Sequence, residues 1–122
     1  MMAGLIRASS KVQKVIGISV MKNNFELEEK IQALVHDKEN SKLLHDYHFG
    51  GYAKYNEELI RFMNEFYLQN HIPTDFVYTG KLFFAIHDLI AKNYFPPRSK
   101  ILIVHSGGLQ GNTSLPKGTL IF

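Results

Sequence analysis

The chain has 122 residues, of which 45% are apolar and 20% are charged. A chain of this length buries roughly 65–70% of the surface that it exposes when unfolded, which is enough for a core. The composition excludes an intrinsically disordered protein, which would combine fewer apolar residues with more net charge. The net charge is +3, but the basic residues are scattered among acidic ones, which argues against nucleic-acid binding.

The chain contains no cysteine, which excludes disulfide bonds and thiolate chemistry and fits a reducing compartment. Its apolar runs are far shorter than the ~20 residues of a membrane helix. Arg7 interrupts the apolar start Met1–Ile6 before the core of a signal peptide could form. We therefore expect a cytoplasmic protein that binds neither membranes nor nucleic acid.

The first part of the chain predicts a helix, a strand and a second helix. Met1–Ser10 has the apolar content of a helix that ends at its two serines. Val15–Val20 is short, β-branched and almost continuously apolar, which is typical of a strand covered on both faces. Asn23 or Asn24 can cap the second helix, whose early turns are acidic. Apolar residues recur in it at helical spacing, namely Leu27, Ile31, Leu34 and Val35.

Two longer helices and a second strand are predicted further along the chain. Asp46–Phe49 is a short extended candidate. Asn56 is expected to cap a helix over Glu57–Gln69, and a third periodic segment predicts a helix over Thr79–Lys92. Ile101–Val104 has the composition of a second buried strand.

The chain ends in a segment rich in Gly, Ser and Thr, in which Leu120, Ile121 and Phe122 are expected to form a terminal anchor. Helices that alternate with continuous apolar strands predict an α/β fold with a partial doubly wound, mostly parallel sheet in three layers. Only two strands are clear, and two strands do not make a stable open sheet. We therefore expect that partner strands lie outside this chain.

Three loops are candidates for a binding site. Ligands of open α/β sheets bind beyond the carboxyl ends of the strands, and two loops occupy such places, namely Val77–Lys81 and Val104–Gly108. The third candidate is Gly50–Tyr52. Each loop has a hydroxyl group close to glycine, where the backbone and a ligand can approach closely.

Each of these loops also has a purely structural interpretation. Thr79 could be a helix N-cap, Ser106 and the glycines after it could form a turn, and Tyr52 and Tyr78 could be half-buried core phenols. A metal site is not predicted, because His45 and His48 lack a third ligand at a familiar spacing. No nucleophile elbow, P-loop or dinucleotide fingerprint is present.

The loops also carry a resemblance to a known family. The segments DFVYTGKLFFAIHDLI and ILIVHSGGLQG resemble the C-terminal third of the pyridoxal-phosphate enzymes 1-aminocyclopropane-1-carboxylate deaminase and D-cysteine desulfhydrase. FGGYAKYNEEL resembles the preceding tyrosine loop of that family. AGLIRASSKVQKVIGISV resembles the helix and strand after its phosphate-binding loop. The resemblance spans nearly all 122 residues in order.

The resemblance implies a tryptophan-synthase-β-like fold (fold type II) and pyridoxal 5'-phosphate as cofactor. It makes residues 1–122 the C-terminal part of a longer enzyme, with the Schiff-base lysine in the missing upstream part. Lys81 matches a non-catalytic place in the family. The resemblance thus implies that this chain alone is inactive, and that the full-length enzyme is a homodimer acting on a small amino acid.

The same resemblance assigns roles to five residues. Ser106 matches the hydroxyl that faces the pyridine nitrogen of the cofactor, with Gly107 beside it. Tyr78 and Tyr52 match the two tyrosines near the substrate, with stacking, nucleophilic or proton-transfer roles. Thr79 matches a cofactor-binding place at which deaminase-type members tend to carry Glu and desulfhydrase-type members carry Thr.

The threonine favours a D-cysteine desulfhydrase-like lyase that converts D-cysteine to sulfide, ammonia and pyruvate. The alternative is a 1-aminocyclopropane-1-carboxylate deaminase that forms 2-oxobutanoate and ammonia. A further alternative is a non-catalytic fragment or binding module, which the missing lysine favours.

Overall fold

A computed structural model describes residues 1–35 and 40–122 of the chain. The described part contains four α-helices, a two-stranded sheet and a short 3-10 helix. In chain order these are α1 (Met2–Ala8), β1 (Val15–Ile18), α2 (Glu26–Leu34), β2 (Ser41–Leu44), α3 (Glu57–Asn70), α4 (Thr79–Ala91) and the 3-10 helix (Gln110–Ser114).

The sheet is parallel, with Val15 opposite Ser41 and Ile18 opposite Leu44. Parallel neighbours need a crossover connection, and here the connection between the strands includes α2. The arrangement β1–α2–β2 is therefore a small parallel βαβ unit. It confirms the predicted α/β class and the parallel pairing, at the scale of two strands.

Two of the predicted extended segments are wrong. Asp46–Phe49 begins in a turn, and the strand lies just before it, at Ser41–Leu44. Ile101–Val104 pairs with no strand within residues 1–35 and 40–122. Ile103 packs on the cluster around Leu44, whereas Leu102 is 89% exposed. An apolar run becomes a strand only where another strand accepts its backbone hydrogen bonds.

The predicted helices form, but their ends differ in part. The side chain of Asn56 accepts a hydrogen bond from Leu59 N at 3.0 Å and caps α3, as expected. Neither predicted asparagine caps α2, because Phe25 occupies the N-cap position without a side-chain bond. Helix α4 ends at Ala91, one residue before its predicted end. Asn93 turns into the left-handed region with φ 54°, and Tyr94 N bonds back to Leu89 O at 2.9 Å.

Helices α3 and α4 pack against each other and share the core with the sheet. One cluster is built on α3 and the turn before α4, and it contains Leu59, Met63, Phe76 and Val77. The other cluster joins β2 to the C-terminal half of α4, and it contains Leu44, Ile86 and Leu89. Among the described residues, no helix has the length and apolar character that crossing a bilayer requires.

The end of the chain is anchored on α3, as the sequence predicts. Leu120 and Phe122 pack on the first cluster, and the ring of Phe122 lies 4.6 Å from that of Tyr67. The amide of Asn64 donates to Thr119 O and accepts from Ile121 N, both at 3.1 Å. Both kinds of contact hold the tail beside α3.

Candidate functional site

The start of α4 is held by hydrogen bonds that the side chains of Asp75 and Thr79 accept from backbone N–H groups. The Oδ1 atom of Asp75 accepts from Val77 N at 2.8 Å and from Tyr78 N at 3.0 Å. The hydroxyl oxygen of Thr79 accepts from Asp75 N at 2.7 Å. This geometry resembles a capping box. Thr79 is therefore not the N-cap: it is the first residue of the helix, 1% exposed, with its oxygen in use.

Gly80 serves the packing of α4 on α3. A Cβ atom at this position would lie 2.8 Å from Met63 Sδ and 3.0 Å from Asp75 O. Both separations are shorter than van der Waals contact, so only glycine lets the two helices come this close. The close approach at Gly80 is thus made by a neighbouring helix.

Tyr52 and Tyr78 form a pair of half-exposed rings. Their centroids are 5.9 Å apart with an interplanar angle of 66°, an edge-to-face arrangement of the favourable kind. Tyr52 is 55% exposed and Tyr78 is 50% exposed. Hydrogen bonding to the Tyr52 phenol, then burial and the negative charge of Asp75, raise the pKa of Tyr78. Two phenols that the sequence places in different loops are therefore brought together at the start of α4.

The loop that carries Tyr52 has an unusual backbone. Phe49, Gly50, Gly51 and Ala53 all have positive φ, at 52°, 96°, 129° and 51°. Such values cost little at glycine but are unfavourable at the other two positions. A backbone of this kind persists only where surrounding contacts determine it.

Lys81 supplies such contacts from the first turn of α4. Its side chain is fully buried, and Nζ donates to His48 O and to Gly51 O, both at 2.8 Å. Burial lowers the pKa of Lys81 to about 8, against the opposing effect of the negative charge of Asp75. The lysine that resembles a non-catalytic position thus joins α4 to the Tyr52 loop.

The Ser106 loop reaches the same half of α4 through its neighbour His105. The Nε2 atom of His105 bonds to Pro73 O at 3.0 Å, and its ring lies 5.8 Å from that of Phe83. His105 Nδ1 accepts from Gly107 N at 3.0 Å, so the two bonds fit a neutral ring with the proton on Nε2.

Ser106 and Gly107 themselves remain open to a ligand. Ser106 is exposed, and its side chain bonds to none of the described residues. Gly107 has φ 74°, and nothing lies within 4 Å of the place where its Cβ would be. Gly108 also has positive φ, at 80°, and the backbone at Gly107 leaves free space on the side where a side chain would stand.

Asn112 holds the segment before α4 from the opposite side. Its amide accepts from Phe76 N at 3.0 Å and donates to Thr74 O at 2.9 Å, so it acts as a backbone partner for that segment. Gly111 next to it lies so close to Asp75 and Val77 that a Cβ would overlap both side chains. The tail is thereby fixed against the start of α4.

The structure thus gathers the three predicted loops around the N-terminal half of α4. Tyr52 meets Tyr78 directly, and His105, the neighbour of Ser106, contacts Phe83 of the same helix. Within the described residues, Ser106 forms no hydrogen bond with Tyr52 or with Tyr78. Thr79 lies inside the helix start and faces Asp75. No group of three His, Asp or Glu side chains able to hold a metal ion occurs among the described residues.

Sequence reasoning missed Asp75, Lys81 and Asn112. Asp75 had a local signal, because an acid placed four residues before a threonine can share a capping arrangement with it. Lys81 and Asn112 had none, since their partners lie 30 to 38 residues away along the chain.

The fold and the site define the class of protein as an α/β protein in which three loops meet at the N-terminal half of a helix. Comparison with known proteins narrows this class. The chain is 30% identical over 121 residues to a protein of Pyrococcus abyssi. It is 38% identical over 68 residues to a Pyrococcus horikoshii protein and 32% identical over 110 residues to one of Pyrococcus furiosus. All three bear the name "Putative 1-aminocyclopropane-1-carboxylate deaminase".

The matches cover 89%, 56% and 83% of this chain, respectively. They cover 36%, 20% and 33% of the three relatives, so this chain spans about a third or less of each. No family model matches the chain. No solved structure matches it.

Proposed function

We propose that this chain forms one wall of the active site of a pyridoxal-phosphate-dependent lyase or deaminase whose remaining parts lie outside these 122 residues. The observation that carries the proposal is the edge-to-face pair of Tyr52 and Tyr78 at the start of α4. The loop of Ser106 contacts the same helix through His105 and has free space at Gly107. Similarity to three relatives named as deaminases supports the same reading.

The chemistry of the exposed groups fits such a cofactor. Ser106 offers an unpaired hydroxyl on a loop with free space beside it, which suits a neutral partner for a pyridine nitrogen. Tyr52 and Tyr78 offer half-exposed phenols that can contact a substrate from one side. Thr79 is the weakest fit, because its oxygen accepts from Asp75 N and only its O–H hydrogen remains for another partner.

When bound, the cofactor would supply an electron sink for carbanion charge at the amino acid. The residues of this chain would orient the ring and the substrate. Ser106 would leave the ring nitrogen unprotonated, because a hydroxyl does not stabilise a positive charge as a carboxylate does. The contact with Tyr52 raises the pKa of Tyr78, so Tyr78 would stay protonated at neutral pH and act as a proton donor or stacking group.

Two substrates are consistent with the site. The threonine at position 79 favours D-cysteine, which would give sulfide, ammonia and pyruvate, because a neutral group there does not add pyridinium character to the ring. The names of the three relatives favour 1-aminocyclopropane-1-carboxylate, which would give 2-oxobutanoate and ammonia. We propose D-cysteine as the first substrate and the cyclopropane amino acid as the second.

A chimera tests the proposal directly. Residues 1–122 replace the matching segment of the Pyrococcus abyssi protein, and the product is checked for folding by circular dichroism before pyridoxal phosphate is added. We expect cofactor absorbance, sulfide release from D-cysteine and weaker formation of 2-oxobutanoate. A folded chimera that binds no cofactor, or that binds it and acts on neither amino acid, would contradict the proposal.

A substitution at position 79, where the two types of family member differ, tests the substrate preference. Thr79→Glu in the chimera should shift the ratio of the two activities towards the cyclopropane amino acid, because a carboxylate strengthens pyridinium character. Thr113→Glu adds the same charge at an exposed position of the 3-10 helix and should leave the ratio unchanged. An unchanged ratio in Thr79→Glu would remove the reason for preferring D-cysteine.

A further inference from the structure

Lys81 is the one fully buried lysine among the described residues. Its ammonium group makes two hydrogen bonds to backbone carbonyls of a loop that lies 30 and 33 residues earlier in the chain. A buried ammonium is unfavourable unless it is well bonded. Helix α4 itself does not require a buried ammonium group at this position, so the contact with the loop calls for a physical explanation.

The two carbonyls are already engaged within the loop. His48 O accepts from Gly51 N at 3.0 Å, and Gly51 O accepts from Lys54 N at 3.2 Å. Lys81 Nζ therefore uses the second lone pair of each oxygen. It links two consecutive turns of the loop, and the second of these carbonyls belongs to the residue directly before Tyr52.

The loop also has one apolar anchor. The ring of Phe49 packs edge-to-face on Phe84 of α4 with centroids 4.9 Å apart. This contact holds the start of the loop but lies three residues before Tyr52. Positive φ at Phe49 and Ala53 disfavours this backbone, so a second attachment near Tyr52 is needed to keep its ring beside Tyr78.

We propose that Lys81 is a positioning residue whose buried ammonium group fixes the 48–52 loop on the first turn of α4 and thereby holds the Tyr52 ring against the Tyr78 ring. Lys81 touches neither ring, and it acts through the backbone of the loop. That this pair faces a substrate rests on the proposed function. The positioning itself concerns this chain alone, and it can be tested without cofactor or substrate.

The test compares ring-to-ring nuclear Overhauser effects in three versions of the chain. Lys81→Met removes the ammonium group and keeps an apolar stem of similar length. Lys54→Met, the matched control, removes the same charge from an exposed position in the same loop region. The ring signals are assigned with Tyr52→Phe and Tyr78→Phe. We expect cross-peaks between the two rings in the wild-type chain and in Lys54→Met, and their loss in Lys81→Met while the signals of α3 are retained.

A chemical rescue separates the ammonium group from the length of the side chain. The chain has no cysteine, so Lys81→Cys can be alkylated selectively in denaturant and then refolded. Aminoethylation restores a lysine-like ammonium and should restore the ring cross-peaks. Methylthiolation restores only an apolar stem and should not. Equal behaviour of the two products would overturn the proposal.

The wild-type chain decides the matter if the variants fail to fold. Lys81 ammonium protons that give Overhauser effects to the amides of Gly51 and Tyr52 would support the proposal, and their absence would overturn it. Ring cross-peaks that persist in a folded Lys81→Met would overturn it as well, since Phe49 would then suffice. None of these outcomes involves enzymatic activity, so failure here is distinguishable from failure of the proposed function.

Discussion

At the scale of single residues, the segments around the start of α4 are held by side chains that form hydrogen bonds with the backbone. Lys81 and Asn112 each bond to main-chain atoms of a distant segment. Lys81 bonds to the loop before Tyr52, and Asn112 bonds to the segment directly before α4. The sequence predicted Tyr52, Tyr78 and Ser106 as site candidates because hydroxyls near glycine mark such loops. It did not predict the groups that orient them, because a contact across 30 residues leaves no local pattern.

The buried ammonium of Lys81 predicts an unusual pH dependence of stability. Its pKa in the folded chain is lowered to about 8 from an ordinary value of 10.5, so between these pH values the unfolded chain binds more protons than the folded one. The free energy of unfolding should therefore rise with pH over this window, by up to about 3 kcal/mol. Urea unfolding at pH 7.5 and pH 9.5 measures the change.

The matched control for this prediction is Lys81→Met, in which the rise should disappear. Tyr47 opposes the trend only at higher pH, since burial and its bond to Asp88 raise its pKa to about 12. The stabilisation that protonated Tyr47 contributes is present below pH 10 and is lost as the pH rises towards 12. A wild-type stability that is flat or falls between pH 7.5 and 9.5 would show that folding does not lower the pKa of Lys81.

At the scale of elements, local signals predicted the helices better than the strands. Asn56 supplied a cap and a periodic apolar face followed it, so α3 could be placed almost to the residue. Strand β2 was missed, because Ser41–Leu44 contains no β-branched residue and starts with two polar ones. Ile101–Val104 had the right composition but pairs with no strand among the described residues, so composition alone does not make a strand.

The packing of α4 on α3 gives a prediction with an internal control. Gly80→Ala should destabilise the chain by about 1–3 kcal/mol, because its Cβ would overlap Met63 Sδ and Asp75 O. Gly4→Ala introduces the same methyl group in α1, where nothing lies within 4 Å, and should stabilise by about 0.5–1 kcal/mol. Thermal unfolding of both variants is the measurement. Equal shifts would mean that the helices do not meet at Gly80.

At the scale of the whole molecule, apolar surface remains uncovered. The described part of the sheet has two strands, and the apolar segment beside it exposes 89% of Leu102 and 37% of Val104. Exposed apolar segments near open sheet edges favour association. The composition of the chain predicted a globular protein with a core. It could not show which apolar residues the rest of the chain would leave exposed.

We expect the isolated chain to self-associate with increasing concentration. Leu102→Lys should reduce this association, because it places a charge in the middle of the exposed apolar segment. Thr113→Lys adds the same charge on the exposed 3-10 helix and should have little effect. Sedimentation equilibrium over a tenfold concentration range measures the difference. A monomer throughout the range would contradict the expectation.

The central proposal is that Ser106 faces the pyridine ring of a bound cofactor. It is tested most directly by the nitrogen-15 chemical shift of pyridoxal phosphate labelled at the ring nitrogen and bound to the chimera. The account predicts the shift of an unprotonated nitrogen, and a move to that of a protonated nitrogen in Ser106→Asp. A protonated nitrogen beside Ser106, or a shift that Ser106→Asp leaves unchanged, would contradict it.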